Sequence, residues 1–279
     1  MKTGVIIQAR MSSTRLPGKI ARELPYGSGI TMLEQVVRRI KKCRLADEVI
    51  VATTTDRDDD AVVRLAKKAG AEVFRGSKED VLSRCYFAAK ENKLDTIVRI
   101  TSDCPCIDPF VADQVIKTLI SSGADYVSNT LARTFPHGLD AEAFTFKALE
   151  RAHENAKDGP EREHVTFYIY RRPGEFKLRN IKAPPALRRP DIRITVDTPE
   201  DYVLACVLYD FLYSSDKCFG LRALVRIFKK KPWLSLINGK VRQKKVFRSF
   251  SEELPEAVRV LELQDLRRAA AELARQIKK

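Results

Sequence analysis

Gly4-Val5-Ile6-Ile7-Gln8-Ala9, running on into Arg10-Met11-Ser12-Ser13-Thr14-Arg15-Leu16-Pro17-Gly18-Lys19, is the stretch on which the fold turns. Its first half is a short, β-branched apolar run and reads as a buried strand; its second half reads as a polar loop. Outward from it the same rhythm repeats. Thr31 to Lys42 has Met32, Val36, Val37 and Ile40 on one helical face, and Glu48–Ala52 follows as a strand. Helix 58–69, strand 72–74, helix 78–92 and strand 96–100 continue the pattern, then a loop (101–109), helix 110–121 and strand 125–128. Strands alternating with helices in this way predict an α/β fold, a mostly parallel sheet with helices on both faces.

After Ser128 the alternation loosens. Turn residues fill 134–140, helices are expected over 146–155 and 162–171, and strands near 176–181 and 192–196. Thr198-Pro199-Glu200-Asp201 is a helix start, with a Thr cap, Pro at the first position and acids in the first turn. Beyond Ser214 only basic amphipathic segments remain, with a final helix expected from Glu256. Charge divides the chain at the same place. The net charge is +14, and residues 215–279 hold 17 Lys/Arg against 7 Asp/Glu, so +10 of it belongs there and +4 to the first 214. A nearly neutral catalytic body (1–214) and a basic, mainly helical appendage (215–279) are therefore expected.

With 279 residues and 44% hydrophobic content the chain can bury a large core. No run approaches the roughly 18–20 apolar residues of a membrane-spanning helix. The N-terminal apolar run is too short for a signal-peptide core. Six scattered cysteines, without paired CxxC units, suit reduced thiols in a cytoplasmic protein; Cys104 and Cys106 are poorly spaced for structural zinc.

The loop 10–19 follows the first strand, where α/β folds bind ligands beyond the carboxyl ends of their strands. Three cations (Arg10, Arg15, Lys19) and three hydroxyls within ten residues can neutralise and wrap a triphosphate, although a solvated basic loop has the same composition. The Walker A spacing is absent. Asp103 in Thr101-Ser102-Asp103-Cys104-Pro105 stands at a strand end where a hard cation would be held. Asp108, before Pro109, reads as a helix cap. Asp197 ends another expected strand, while Glu200 and Asp201 serve the first turn of the helix that follows.

The segment IIQARMSSTRLPGK resembles the opening motif of the cytidylyltransferases that make CMP-activated acid sugars: CMP-KDO synthetases, CMP-sialic acid synthetases and, above all, the spore coat polysaccharide biosynthesis protein F family. The resemblance covers about residues 4–210. It implies a Rossmann-like, GT-A-like nucleotide-diphospho-sugar transferase fold and a magnesium-dependent cytidylyltransferase acting on CTP and an anionic or sugar acceptor. Phosphate contacts are implied for Arg10, Ser12, Ser13, Arg15 and Lys19, with Ala9 and Met11 near the base. Asp103 and Asp197, the latter in a segment similar to VDTPED, are implied as magnesium ligands. RGSKEDVLSR (75–84) resembles the family's RGSEDDVLSR and implies Arg75 and Asp80 near the nucleotide, with Lys78 in place of the usual acid. HGLDAE (137–142) and REHVT (162–166) resemble DGLDVE and REHVT, which implies an acceptor pocket lined by His137, Asp140, Glu142, Arg162 and His164. His137 stands where Asp is common, which leaves acceptor preference open. Relatives commonly form homodimers.

Leu221 to Trp233 (LRALVRIFKKKPW) has a helical apolar face and a Lys229–Lys231 cluster. It could contact an anionic membrane surface or an acidic partner, or form the solvated face of a small packed subdomain. Two other functions fit less of the chain. A GT-A-like glycosyltransferase would carry an Asp-x-Asp metal site, whereas Ser102-Asp103-Cys104 lacks the second acid. A non-enzymatic nucleotide- or RNA-binding protein would offer aromatic platforms, and the tail has Trp233 and scattered Phe residues.

Overall fold

The computed structural model describes residues 1–241 and 249–277. Strand β1 (Thr3–Gln8) lies between β2 (Glu48–Thr54) and β4 (Thr96–Thr101), parallel to both, with Ile6 opposite Ile50 and Arg99. Val5 and Ile7 point into one apolar cluster and Ile6 into another. The run is apolar throughout because both faces of the sheet are covered. Strand β3 (Glu72–Gly76) extends the sheet parallel to β2. On the far side β4 pairs antiparallel with β6 (Glu142–Thr145), β6 antiparallel with β5 (Tyr126–Ser128), and β5 parallel with β7 (Leu178–Asn180). The order β3-β2-β1-β4-β6-β5-β7 is a mixed, mostly parallel sheet covered by helices on both faces.

One face carries α1 (Met32–Ile40), α2 (Asp60–Lys68), α4 (Pro109–Ser122) and α8 (Pro199–Leu212); the other carries α3 (Val81–Glu91) and α5 (Phe146–Asn155). Their starts are written in the sequence. Thr31 and Glu34 close a capping box on α1, Asp80 caps α3, Asp108 caps α4, and Thr198 with Asp201 closes a second box on α8 ahead of Pro199.

Several expectations are corrected. The helix expected over 162–171 is two short ones, α6 (Gly159–Glu163) and α7 (Phe167–Tyr170), interrupted at His164–Thr166. The strand expected at 192–196 does not join the sheet. It is an extended segment bridged at Arg193 to His137, with Ile194 N–H donating to His137 O at 2.7 Å and Val196 N–H to Asp103 O at 2.8 Å. The chain also divides later than its charge suggests, into a unit of Met1–Val241 and a unit of Arg242–Lys279. Helix α9 (Leu221–Lys230) belongs to the first unit: Leu221, Leu224, Val225, Ile227 and Phe228 are buried in its main core, as is Leu234 of the short α10 (Leu234–Ile237). The buried guanidinium of Arg39 donates to Ile107 O at 2.8 Å and also to Phe219 O, tying α1 to the segment before α9. The apolar face of 221–233 is thus spent on the core, and its exposed face is the cationic one, Arg222, Arg226, Lys229 and Lys230. In the second unit the final helix begins ahead of Glu256, as α11 (Phe250–Leu263), and α12 (Arg267–Ile277) follows it.

Candidate active site

The loop after β1 is held open. Ala9 is buried and its N–H donates to Ala52 O at 3.1 Å, while Met11 N–H donates to Asp59 Oδ1 at 2.7 Å. Asp59, buried at the start of α2, also accepts from the Thr54 hydroxyl. Gly18 N–H closes the loop on Met11 O at 3.2 Å, and Gly18 itself takes φ +65, a left-handed turn that glycine adopts without strain. Between these ties no hydrogen bond among the described residues engages Ser12, Ser13 or Thr14, and Arg10 is exposed without an ion pair. The result is an anchored rim of free N–H groups, hydroxyls and a cation, the donor set an oligophosphate needs.

Lys19 leaves this loop and reaches the centre of the cleft. Its Nζ lies 2.9 Å from Asp103 Oδ2, 2.9 Å from Asp197 Oδ1 and 2.8 Å from Val196 O. Burial disfavours the ammonium, but the two carboxylates, Asp103 first, outweigh it and hold its pKa above the ordinary value. Arg15 Nη2 stands 3.1 Å from the same Asp197 oxygen. Asp197 is half-buried; burial alone would raise its pKa, yet Lys19, then Arg193 and Arg15, bring it down to about 2. The two acids meet because Asp103 O accepts Val196 N–H at 2.8 Å and the Thr195 hydroxyl at 3.2 Å. Arg15, Lys19, Asp103 and Asp197, scattered over the sequence, therefore share one cleft beyond the carboxyl ends of β1 and β4.

A second layer fixes Asp197. Arg193 Nη2 donates to Asp197 Oδ2 at 2.8 Å, and the same guanidinium grips the buried Asp201 through Nε at 3.0 Å and Nη2 at 2.8 Å. Asp201 also accepts Asp197 N–H at 3.0 Å and the Asn238 amide at 2.8 Å. Asp201 thus does more than cap α8, and Asn238 reaches it from the end of α10. On its other side Arg193 Nη1 donates to His137 Nδ1 at 3.2 Å, which puts the ring proton on Nε2, 3.8 Å from Asp140 Oδ2. Burial, together with Arg133 and Arg193, lowers the His137 pKa against the pull of Asp140, so the imidazole is neutral near pH 7. Arg133 pairs with both Asp140 oxygens. Asp140, His137, Arg193 and Asp197 form one connected wall.

Other residues singled out in the sequence lie apart from that wall. The Glu142 carboxylate is buried and engaged by Arg99, by Tyr126 OH and by the Thr166 hydroxyl at 2.7 Å, which tie β6 to β4, to β5 and to the start of α7. Arg75 spends its guanidinium on Thr54 O, Asp60 Oδ1 and Asp56 O, at 2.9, 2.7 and 2.9 Å, bracing the ends of β2 and β3. Asp80 caps α3 and lies 3.4 Å from Arg162 Nη1, which also meets His153 Nδ1 at 3.1 Å. His164 sits at the break between α6 and α7, its ring 5.9 Å from that of Phe167. Asp59, Arg193 and Asn238 were not singled out in the sequence. Arg193 two residues after Asp191 and four before Asp197 was the available signal; Asn238 had none.

Comparison with known proteins follows the same lines. The cytidylyltransferase family model matches residues 4–248. The uncharacterized protein MJ1063 of Methanocaldococcus jannaschii is 41% identical over 88% of this chain and 97% of its own. The spore coat polysaccharide biosynthesis protein SpsF of Bacillus subtilis is 36% identical over 73% of this chain and 85% of its own. Among solved structures, a cytidylyltransferase from Leptospira borgpetersenii superposes with a TM-score of 0.78 at 35% identity, covering 89% of this chain and all of that one. The chain is a member of the cytidylyltransferase family, and its activity is that of a nucleotidyltransferase.

Proposed function

We propose that the chain transfers CMP from CTP to a sugar acid or another small hydroxylated or phosphorylated acceptor, with release of pyrophosphate and dependence on magnesium. The observation that carries this reading is Lys19 Nζ held by Asp103 and Asp197 together. Two carboxylates close enough to bridge one ammonium suit one hard cation. Among the described residues no group of three or more potential metal-ligating side chains occurs. Magnesium is usually held by one or two carboxylates, with substrate phosphates and water completing its shell, so the donor set fits. When bound, the ion would neutralise phosphate charge and polarise the attacking oxygen.

The chain's own residues do the rest. Ser12, Ser13 and Thr14 offer N–H and hydroxyl donors to the triphosphate, Arg10 and Arg15 its counter-charges, and Ala9 and Met11 the apolar floor toward the base. The acceptor oxygen attacks the α-phosphorus in line; the bond from that phosphorus to the β-phosphate oxygen breaks, and Arg15 and Lys19 offset charge on the departing pyrophosphate. His137 and Asp140, connected to Asp197 through Arg193, face the acceptor with a neutral imidazole and a carboxylate paired to Arg133. Such a surface orients the acceptor's hydroxyls, and the proton that the attacking hydroxyl loses passes to solvent.

Pyrophosphate release should require CTP, magnesium and an acceptor together, and Asp103→Asn should lower its rate by about 100-fold or more with an unchanged circular dichroism spectrum. Near-normal release by that variant would remove the metal assignment. Equal turnover of all four nucleotides would remove the choice of cytosine.

A further inference from the structure

The ammonium of Lys19 is fully committed within the cleft. It has three N–H donors, and all three are taken: Nζ lies 2.9 Å from Asp103 Oδ2, 2.9 Å from Asp197 Oδ1 and 2.8 Å from Val196 O. The side chain is 11% exposed. Its backbone is fixed as well, with Lys19 N–H donating to Leu16 O at 3.2 Å and the next residue, Ile20, buried. In this position Lys19 has no donor left for a phosphate, although it follows directly on the loop whose rim is built for one.

The three oxygens around Nζ, two carboxylate and one carbonyl, come from two separate segments, and they are the oxygen-only set that a hard cation takes. Among the described residues Lys19 is the one ion-pair partner of Asp103, whereas Asp197 also has Arg15 and Arg193. Magnesium draws its oxygens in to about 2.1 Å, so the ion and the ammonium cannot share that point. We propose that Lys19 holds the cation's place in the resting enzyme and yields it only to the triphosphate, so that metal and nucleotide enter together. This rests on the reading of Asp103 and Asp197 as the metal carboxylates. Charge stays balanced through the exchange: the ammonium leaves for the phosphates as the two acids pass to the divalent ion. Metal alone meets an occupied position, and nucleotide alone would draw the ammonium off two bare carboxylates. Each ligand therefore favours the other, and the coupling is reciprocal. The motion asked for is a swing of the flexible four-carbon lysine stem, with the backbone in place.

Manganese binding to the full chain without nucleotide, read by electron paramagnetic resonance, tests this. Lys19→Met should bind manganese tighter than wild type by about tenfold or more. Arg15→Met removes an equal charge 3.1 Å from the same Asp197 oxygen and should gain only about twofold. No gain in Lys19→Met overturns the proposal, and so do equal gains in the two variants, which would mean a general charge effect. Lys19→Met should also melt below wild type in EDTA and recover on manganese alone, while the wild-type Tm stays where it is. A readout on the wild type needs no variant to fold. The nitrogen NMR signal of the Lys19 ammonium should be unmoved by magnesium alone and shift when magnesium and CTP are added together. A shift with magnesium alone overturns the exchange and leaves the metal assignment standing. Absence of manganese binding in both proteins even with CTP present would remove the metal assignment and the exchange with it.

Discussion

Asp197 is a side chain whose charge state its cationic neighbours control, and it makes the site's electrostatics measurable. A carboxylate whose pKa is lower folded than unfolded stabilises the fold at pH above its unfolded value and loses that contribution as pH falls through the folded one. For Asp197 the window runs from the ordinary 3.8 down to about 2. A gap of this size corresponds to about 2 kcal/mol. Lys19 works in the opposite sense: its pKa is raised, so its contribution is complete below the ordinary value of 10.5 and fades only in strong alkali. Urea unfolding of wild type and Asp197→Asn should therefore differ by about 2 kcal/mol at pH 7 and converge toward pH 2. A difference that stays constant across that range would mean Asp197 is worth its packing and not its charge. Lys19, Asp103 and Asp197 could be found in the sequence because each sits at a strand end or in a loop of distinctive composition. Asp59, Arg193 and Asn238 could not, because an Asp, an Arg or an Asn acquires its partner only when the chain folds back. Glu142 shows what the sequence could not supply, the partners: Arg99 and Tyr126 from neighbouring strands and Thr166 ahead of α7 donate to its carboxylate.

The segment 192–197 carries half of the site, yet it is not a strand of the sheet. Its residues are β-branched and apolar enough to suggest one, and what the sequence could not supply was a neighbour with room for a ladder. The loop at 137–139 and the carbonyl of Asp103 take its hydrogen bonds instead. Gly138 makes that approach possible. It lies at φ +112, and a Cβ there would stand 2.6 Å from Thr195 N and 2.8 Å from Ile194 C, both backbone atoms with no freedom to swing away. Gly138→Ala should therefore push the segment off the His137 loop, costing about 1–3 kcal/mol of stability. It should also lower pyrophosphate release more than Asn155→Ala, a change on the exposed face of α5. Equal Tm and rate for Gly138→Ala and wild type would show that the loop and the segment can part without cost. The helices were easier to read: each of α1, α3, α4 and α8 announces its start with a capping side chain. The interval 159–170 misled because a capped turn at Asp158 and an apolar run from Val165 have helical composition on either side of a break at His164–Thr166.

Charge composition and packing divide this molecule at different places, and the difference has a physical consequence. The basic run after Ser214 looks like an appendage because cations belong on surfaces, but every exposed cation of α9 is matched on the opposite helical face by a core residue. Phe219, Leu224 and Leu234 are fully buried, and Val225, Ile227 and Phe228 nearly so. Leu221 N–H donates to Asp108, the cap of α4, at 2.8 Å, and Asn238 holds the Asp201 that orients Asp197. A chain ending at Ser214 would expose the core that these residues cover. It would also leave the Arg39 guanidinium, buried inside the body, without Phe219 O. Deleting one large core side chain typically costs 2–5 kcal/mol, and whole domains are stable by only about 5–15 kcal/mol, so the loss of six exceeds what the fold has to give. Residues 1–214 should accordingly be insoluble or lack a cooperative melting transition. Residues 1–241 should unfold cooperatively, because that length is one compact unit that holds the main core, α9 and α10 included. A soluble 1–214 fragment with a sharp transition and CTP-dependent turnover would mean that α9 and α10 are accessories, and that the cleft is assembled without the Asn238 contact to Asp201.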